Sequence, residues 1–251
     1  MNEKELLQRR FSELSDKAYN SGIFLFSDFL GLSEQSAFFE IESRLYPNGY
    51  TIFGTDLGCE RIMIRFGREE SAGYTVPFPI TILKAEPVSQ KFADKLTHRD
   101  LLGALKNLGI VREVVGDIVI RNNVAYIFVK EDISEFIVSE LRRAKHTDLH
   151  VSKTDSLPEG ELYKTEAVRV QVSSPRADAM IARAFSLSRD DSSLLFSKKL
   201  VFINGSVSES PDKKLREGDV VSVRGYGRFI YRTEVGKTKK GKLNVEIERY
   251  V

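Results

Sequence analysis

The chain has 251 residues, enough for two or three small domains, and 41% hydrophobic with 29% charged residues excludes a disordered polypeptide. A single cysteine, Cys59, excludes an intrachain disulfide framework and a cysteine-rich zinc site. No apolar run approaches the roughly 20 residues of a membrane helix, and the charged start Met1–Arg10 lacks the apolar core of a secretory signal, so a cytoplasmic protein is expected.

The net charge of +2 is unevenly spread: −4 over residues 1–77, +2 over 78–153, −2 over 154–171 and +6 over 172–251. A basic C-terminal module on a near-neutral chain is the electrostatic footprint of a polyanion binder.

In chain order, Leu6, Leu7, Phe11, Leu14 and Ala18 predict an amphipathic helix over 3–19. A second helix is expected from the cap Ser33 to Leu45, with Phe38, Ile41 and Leu45 inward, stopped by Pro47-Asn48-Gly49. Strands follow at Tyr50–Gly54 and Glu60–Phe66. In the second, Ile62, Ile64 and Phe66 alternate with Arg61, Met63 and Arg65, the pattern of a half-buried strand. Gly67–Gly73 reads as a loop.

Residues 78–153 carry the clearest pattern. Ile80–Ala85 is a strand. Thr97 and Asp100 form a capping box ahead of Leu101, Leu102, Leu105 and Leu108, and Gly109 closes the helix. Val114–Ile120 and Val124–Val129 flank Asn122-Asn123, a hairpin signal. Ser134–Ala144 reads as a helix with Phe136, Ile137 and Leu141 inward, and His150–Lys153 as a last strand. The order β-α-β-β-α-β is the ferredoxin-like arrangement, used by the RNA-recognition motif. Tyr126 and Phe128 lie on the strand face opposite Ala125, Ile127 and Val129, where that motif stacks bases; the same face could equally pack on the first domain. Thr97, His98 and Arg99 sit at a helix N-terminus, either as a cap with a packed histidine or as RNA contacts.

Residues 154–171, with Pro158-Glu159-Gly160, read as a linker ending in a strand at Ala167–Val172. The last module opens with Ser174 as N-cap and Pro175 at the first helical position, then Ala177, Met180, Ile181, Ala184 and Phe185. A second capping box, Ser188 with Asp191, precedes Leu194, Leu195 and Phe196. Leu200–Ile203, Ser206–Val207 and Val220–Arg224 are short strands. Arg228–Val235 and Leu243–Tyr250 form a hairpin with a basic tip, Gly236-Lys237-Thr238-Lys239-Lys240-Gly241.

Arg176 and Arg189 each fall in a predicted first helical turn, where free N–H groups and the dipole favour phosphate. With Arg183, Ser188, Lys198, Lys199, Arg224, Arg228, Lys237, Lys239 and Lys240 they are the candidate RNA-binding residues; ordinary solvated arginines are the alternative. Asp178 is expected to serve as an internal cap or ion pair. Enzyme signals are weak: there is no GxGxxG after a strand, no P-loop and no G-x-S-x-G. His146 and His150 are spaced i,i+4 without an acidic residue that would complete a metal motif, so no metal or cofactor is expected.

Arg176-Ala-Asp178, Leu187-Ser188-Arg189, Leu195-Phe196, Val201-Phe-Ile203-Asn204-Gly205 and Glu217-Gly218-Asp219 together resemble the S-four RNA-binding domain. That family usually has glycine where this chain has Lys199. The stretch Lys91–Gly103, Leu108-Gly109, Arg112 and Gly116-Asp117-Ile118 resembles the middle domain of the YlmH family of bacterial S-four-domain proteins. Val172-Ser173-Ser174, Gly225-Tyr-Gly227-Arg228-Phe229 and Glu60-Arg61 fit it too. The resemblance implies an RNA-binding, ribosome-associated protein acting on large subunits with an obstructed nascent chain, with rRNA and tRNA as partners and a link to cell division.

The expectation is therefore an α+β chain of three domains: a small α+β domain at 1–77, a ferredoxin-like middle domain with linker at 78–165, and an S-four-type domain at 166–251. It is expected to be a non-catalytic monomer that binds no membrane and no small-molecule substrate. The alternatives are an RNA-modifying enzyme with its site in residues 1–153, using His98 and Asp100, and a protein–protein adaptor for division proteins.

Overall fold

The computed structural model describes residues 2–158 and 162–250. The fold is α+β, and every strand pairing in its three sheets is antiparallel. The chain divides into two compact units, Met1–Glu34 with Ile41–Leu162 and Gln35–Glu40 with Tyr163–Val251. Among the described residues no helix is long and apolar enough to cross a membrane. Of the linker residues read from the sequence, Glu159 and Gly160 lie outside the described residues.

The first unit opens with α1 (Glu3–Ser21), capped by Asn2 and Glu5, which bond each other's backbone N–H groups. Then come β1 (Leu25–Phe26), α2 (Leu32–Phe39), α3 (Glu42–Leu45), β2 (Tyr50–Phe53), β3 (Met63–Phe66) and α4 (Glu69–Ala72). The three strands form a sheet in the order β1-β3-β2. The helix expected from Ser33 to Leu45 is two helices, broken at Ile41. Four consecutive residues of α2, Gln35 to Phe38, are buried, which a one-sided helical stripe cannot signal. The loop expected at Gly67–Gly73 contains the single helical turn α4. Strand β3 is covered on both faces rather than one. Phe66 packs on Phe11 of α1, while Met63 faces its cross-strand partner Phe53, whose ring lies 6.0 Å from Phe128 of the next sheet.

That next sheet contains β4 (Ile80–Pro87), β5 (Val115–Arg121), β6 (Val124–Lys130), β7 (Arg143–Ala144) and β8 (Thr147–Thr154), in the order β5-β6-β4-β8-β7. Helices α5 (His98–Asn107) and α6 (Glu131–Glu140) join its strands, and Leu83, Leu101, Leu105, Ile127 and Ile137 are among its core residues. Asn122 and Asn123, both at positive φ, make the two-residue β5–β6 turn. Helix α6 begins and ends earlier than expected. Ser134 and Ile137 face the sheet, so Phe136 points outward and is 44% exposed. Arg143 and Ala144 turn back as β7 instead of extending the helix. His146 therefore lies in a β-turn and His150 in β8, and among the described residues no group of potential ligands could hold a metal.

In the second unit, β9 (Thr165–Val172), β10 (Val201–Ile203), β11 (Ser206–Val207), β12 (Val220–Val223), β13 (Gly227–Lys237) and β14 (Leu243–Tyr250) form a sheet in the order β11-β10-β12-β13-β14-β9. Helices α7 (Ala177–Ala184) and α8 (Arg189–Ser197) bury Met180, Ile181, Leu195 and Phe196 against Val201, Val221, Phe229 and Ile247. Leu194 is exposed. Helix α7 starts two residues later than the Ser174-Pro175 signal. The Pro175 carbonyl accepts from Leu215 N–H and Arg176 bridges Lys214, so these residues stay extended and Arg176 is the N-cap.

Candidate nucleic-acid interface

Asp178, in the first turn of α7, organises the basic residues around it. Its side chain is only 5% exposed and accepts from Arg176 Nε and Nη2 at 3.1 Å each, from Arg189 Nη2 at 3.3 Å and from Ala179 N–H at 2.8 Å. The guanidinium groups stay outward, with the Arg176 side chain 40% and that of Arg189 62% exposed. One buried carboxylate thus holds two arginines from different helices at the surface. Ser192 Oγ fastens α8 to α7 by donating to the Asp178 carbonyl at 2.7 Å.

Arg189 opens α8. The N-cap Ser188 accepts from Asp191 N–H at 3.0 Å and donates its hydroxyl to the Asp191 carboxylate at 2.6 Å. Beside this helix end lies a cleft of about 300 Å³, whose polar wall includes Gln171, Ser173, Arg183, Ser188, Arg189 and Lys242. Three cations face it, and among the described residues lining it there is no carboxylate. Lys242 was not singled out in the sequence; it directly follows the basic run recognised at the hairpin tip. Lys237 pairs with Leu243, and Leu243 with Val172 of the cleft wall, so the base of that tip adjoins the cleft. Lys239 and Lys240 are exposed at the tip itself.

The remaining candidates separate. Lys198 and Lys199 stand at the opposite end of α8, roughly 13 Å from Arg189 at about 1.5 Å per residue, where cations favour a helix C-terminus. Arg224 joins them, since its N–H donates to the Leu200 carbonyl at 2.9 Å. Lys199 adopts φ 56°, the left-handed conformation that glycine takes at lowest cost. Arg228 is corrected outright: it is buried, with its guanidinium 3.7 Å from the Tyr250 ring centroid and 5.3 Å from that of Tyr163. A buried cation lying over the Tyr250 ring, with the Tyr163 ring edge-on to it, is committed to the fold rather than to RNA.

In the first unit, Thr97 is the expected cap, accepting from Asp100 N–H while its own N–H and hydroxyl donate to the Asp100 carboxylate. Arg99 is exposed. His98 has its pKa lowered, first by partial desolvation of the imidazole and second by Arg112. Tyr126 is half-buried, whereas Phe128 is 1% exposed and unavailable for base stacking. Of the two readings of this face, packing on the first domain is the one seen, since Phe53 and Phe29 cover it. Phe29 and Phe128 close so tightly over Gly116 that a Cβ there would come within 2.7 Å of one and 2.9 Å of the other.

Residues of the same signature form a second buried cluster. Asp117 accepts the backbone N–H groups of Glu60 and Arg61 at 2.8 and 2.9 Å. Arg61 donates to the carbonyls of Val115, Phe29 and Arg112, and Arg112 to those of Val115 and Gly116. Burial lowers the pKa of Arg61, and burial together with the neighbouring Arg61 pushes Arg112 down to about 10. These arginines serve backbone carbonyls and latch β3 to β5.

Residues 76–157 match a family model described as "Putative RNA-binding domain in YlmH". The ribosome-associated protein quality control protein P2 of Bacillus subtilis (strain 168) is 36% identical over 166 residues, a match spanning 63% of this chain and 63% of that protein. The solved structure of cell division protein ylmH from Streptococcus pneumoniae superposes with a TM-score of 0.48 at 17% identity, covering 61% of this chain and 92% of that one, a level from which nothing is inferred. The chain is thus similar to the RNA-binding domain described for YlmH over residues 76–157, and to a ribosome-associated quality control protein over 63% of its length.

Proposed function

We propose that this chain is a non-catalytic RNA-binding protein that docks on ribosomal RNA or tRNA at the large ribosomal subunit, in quality control of obstructed nascent chains. The observation that carries the reading is the carboxylate-free cleft at the start of α8, where Arg183, Arg189 and Lys242 meet beside the Asp178-anchored Arg176. Phosphate oxygens suit such a site: arginines hold them with paired hydrogen bonds, and the helix N-terminus adds its dipole. The ribosome-associated relative and the RNA-binding description of the matched domain support the choice of partner.

The strand order β5-β6-β4-β8 supports a ferredoxin-like middle domain, and the α7–α8 pair followed by β10 to β12 supports an S-four-type module. Two separate sheets within the first unit support domains at 1–77 and 78–165, with the third at 166–251. In this reading the chain acts as a cytoplasmic monomer without cofactor. The catalytic alternative gains no support from Asp100, whose carboxylate is committed to Thr97.

The test is Arg183→Glu with Lys242→Glu, two positions that do not touch Asp178. Binding of the full chain to purified large subunits and to labelled RNA should weaken roughly tenfold or more, with a shallower salt dependence. Unchanged affinity and unchanged salt slope in a folded variant would overturn the reading.

A further inference from the structure

We infer a second RNA-phosphate site in the first unit, in the cleft between α5 and the β7–β8 turn; it rests on the reading that this chain binds RNA. The cleft is about 530 Å³, and its charged wall is Arg99, Arg142, Arg143 and Lys145 with Asp100 and Glu140. Asp100 is turned to its own helix end by the Thr97 cap, and Glu140 accepts from Ser139 Oγ at 3.1 Å. Two further carboxylates stand near the cations. Lys145 Nζ is 3.9 Å from Asp94, and Arg143 Nε is 3.7 Å from Asp148. Both separations exceed hydrogen-bond length; Arg143 and Asp148 are largely exposed, so that pair is weak, while the Asp94 oxygen facing Lys145 is buried and makes no hydrogen bond to it.

The local fold explains how the cations converge. Helix α6 ends at Glu140, and the chain reverses through Arg142, whose carbonyl accepts from Leu149 N–H at 2.8 Å. Three cations are thereby delivered within four residues, opposite Arg99 in the first turn of α5. The turn itself supplies an independent observation. Lys145 has φ 55°, a conformation that favours glycine over any side chain with a Cβ. A lysine kept in that backbone state at the rim of a basic cleft points to a use for its side chain beyond folding.

The other face of the same domain is closed. Phe128 is buried under Phe53 and Phe29, so the sheet offers no platform of the kind an RNA-recognition motif uses. The helix side is where RNA can reach this domain. All four cations fall within residues 76–157, the stretch whose family description is RNA-binding. The ligand class is the sugar-phosphate backbone of an RNA strand, held by charge and paired guanidinium contacts without base readout.

The experiment titrates the full chain against a fluorescein-labelled single-stranded RNA and a labelled RNA hairpin over a range of salt. Arg142→Glu with Arg143→Glu should weaken binding about tenfold, and Lys145→Gly about threefold with a log–log salt slope shallower by about one. Glycine suits the backbone at 145, so that variant should melt at or above the parent temperature, which separates lost contact from lost fold. Affinity and slope unchanged in both variants, while Arg183→Glu with Lys242→Glu still weakens binding, would overturn the cleft and leave the proposed function standing. No effect in any of the three would overturn both. Displacement of RNA from the parent by polyglutamate at matched charge would also overturn the proposal, assigning the cleft to an acidic protein instead.

Discussion

Each unit of this chain builds a charged cluster on one buried aspartate, and the two clusters differ in where their arginines end. Around Asp117, Arg61 and Arg112 turn inward and donate to backbone carbonyls of Phe29, Arg112, Val115 and Gly116. Around Asp178, Arg176 donates to the carboxylate through two nitrogens and Arg189 through one, and both side chains stay exposed. Guanidinium groups whose donors are satisfied by carbonyls act as structural ties, and burial lowers their pKa values. Guanidinium groups fixed by a carboxylate at the surface are preorganised for an incoming phosphate, since little side-chain freedom is lost on binding.

The comparison can be broken by experiment. The largest effect is expected for Asp117→Ala. Two backbone N–H groups lose their acceptor and the neighbouring Arg61 and Arg112 lose a nearby negative charge, and urea denaturation should show a loss of about 3 kcal/mol. RNA affinity of the folded fraction should be unchanged, and a drop would mean that this latch also shapes an RNA site. Asp178→Asn comes next. Solvent screening of its half-exposed arginines reduces the cost to about 2 kcal/mol. Here RNA affinity should fall together with stability, because Arg176 and Arg189 lose their anchor. Intact binding would show that the buried carboxylate does not position them.

Lys199→Gly sharpens the contrast in the other direction. Glycine removes the strain at φ 56°, so thermal melting should show a gain of up to about 1 kcal/mol. Weaker RNA binding in this more stable variant would show that the lysine is kept for its charge. The smallest effect concerns His98. Its folded pKa lies below the ordinary value of about 6.5, so the unfolded chain binds the proton more readily. Its contribution to stability is therefore present above that pH and is lost as pH falls through it. Urea midpoints measured on either side of the window should converge in His98→Gln.

Local signals were legible where one residue's chemistry decides the backbone. The Thr97–Asp100 capping box, the Asn122-Asn123 turn and the Ser188 cap all stand where the sequence placed them. Misreadings came where tertiary contacts override a local preference. Ser174-Pro175 carries a helix-start signal, yet hydrogen bonding to 213–215 keeps the chain extended to Arg176. Phe136 matched a helical stripe that Ser134 and Ile137 occupy instead.

The candidate site was legible in composition and not in arrangement. The excess of Lys and Arg after residue 172 marked the C-terminal region as basic, because net charge is additive along the chain. Whether a given arginine faces water is not additive, since it depends on which side chains the fold brings against it. Arg228 and Arg183 are alike as letters, but one lies stacked under Tyr250 and the other faces a cleft. Phe128 likewise reads as a strand aromatic free either to stack a base or to pack on the first domain, and only the covering by Phe53 and Phe29 decides between them. The sequence by itself determined the α+β class, the helix caps, the tight turns and the uneven charge. Only the tertiary structure decided which cations share a surface and which are buried, because burial is set by contacts between residues far apart in the chain.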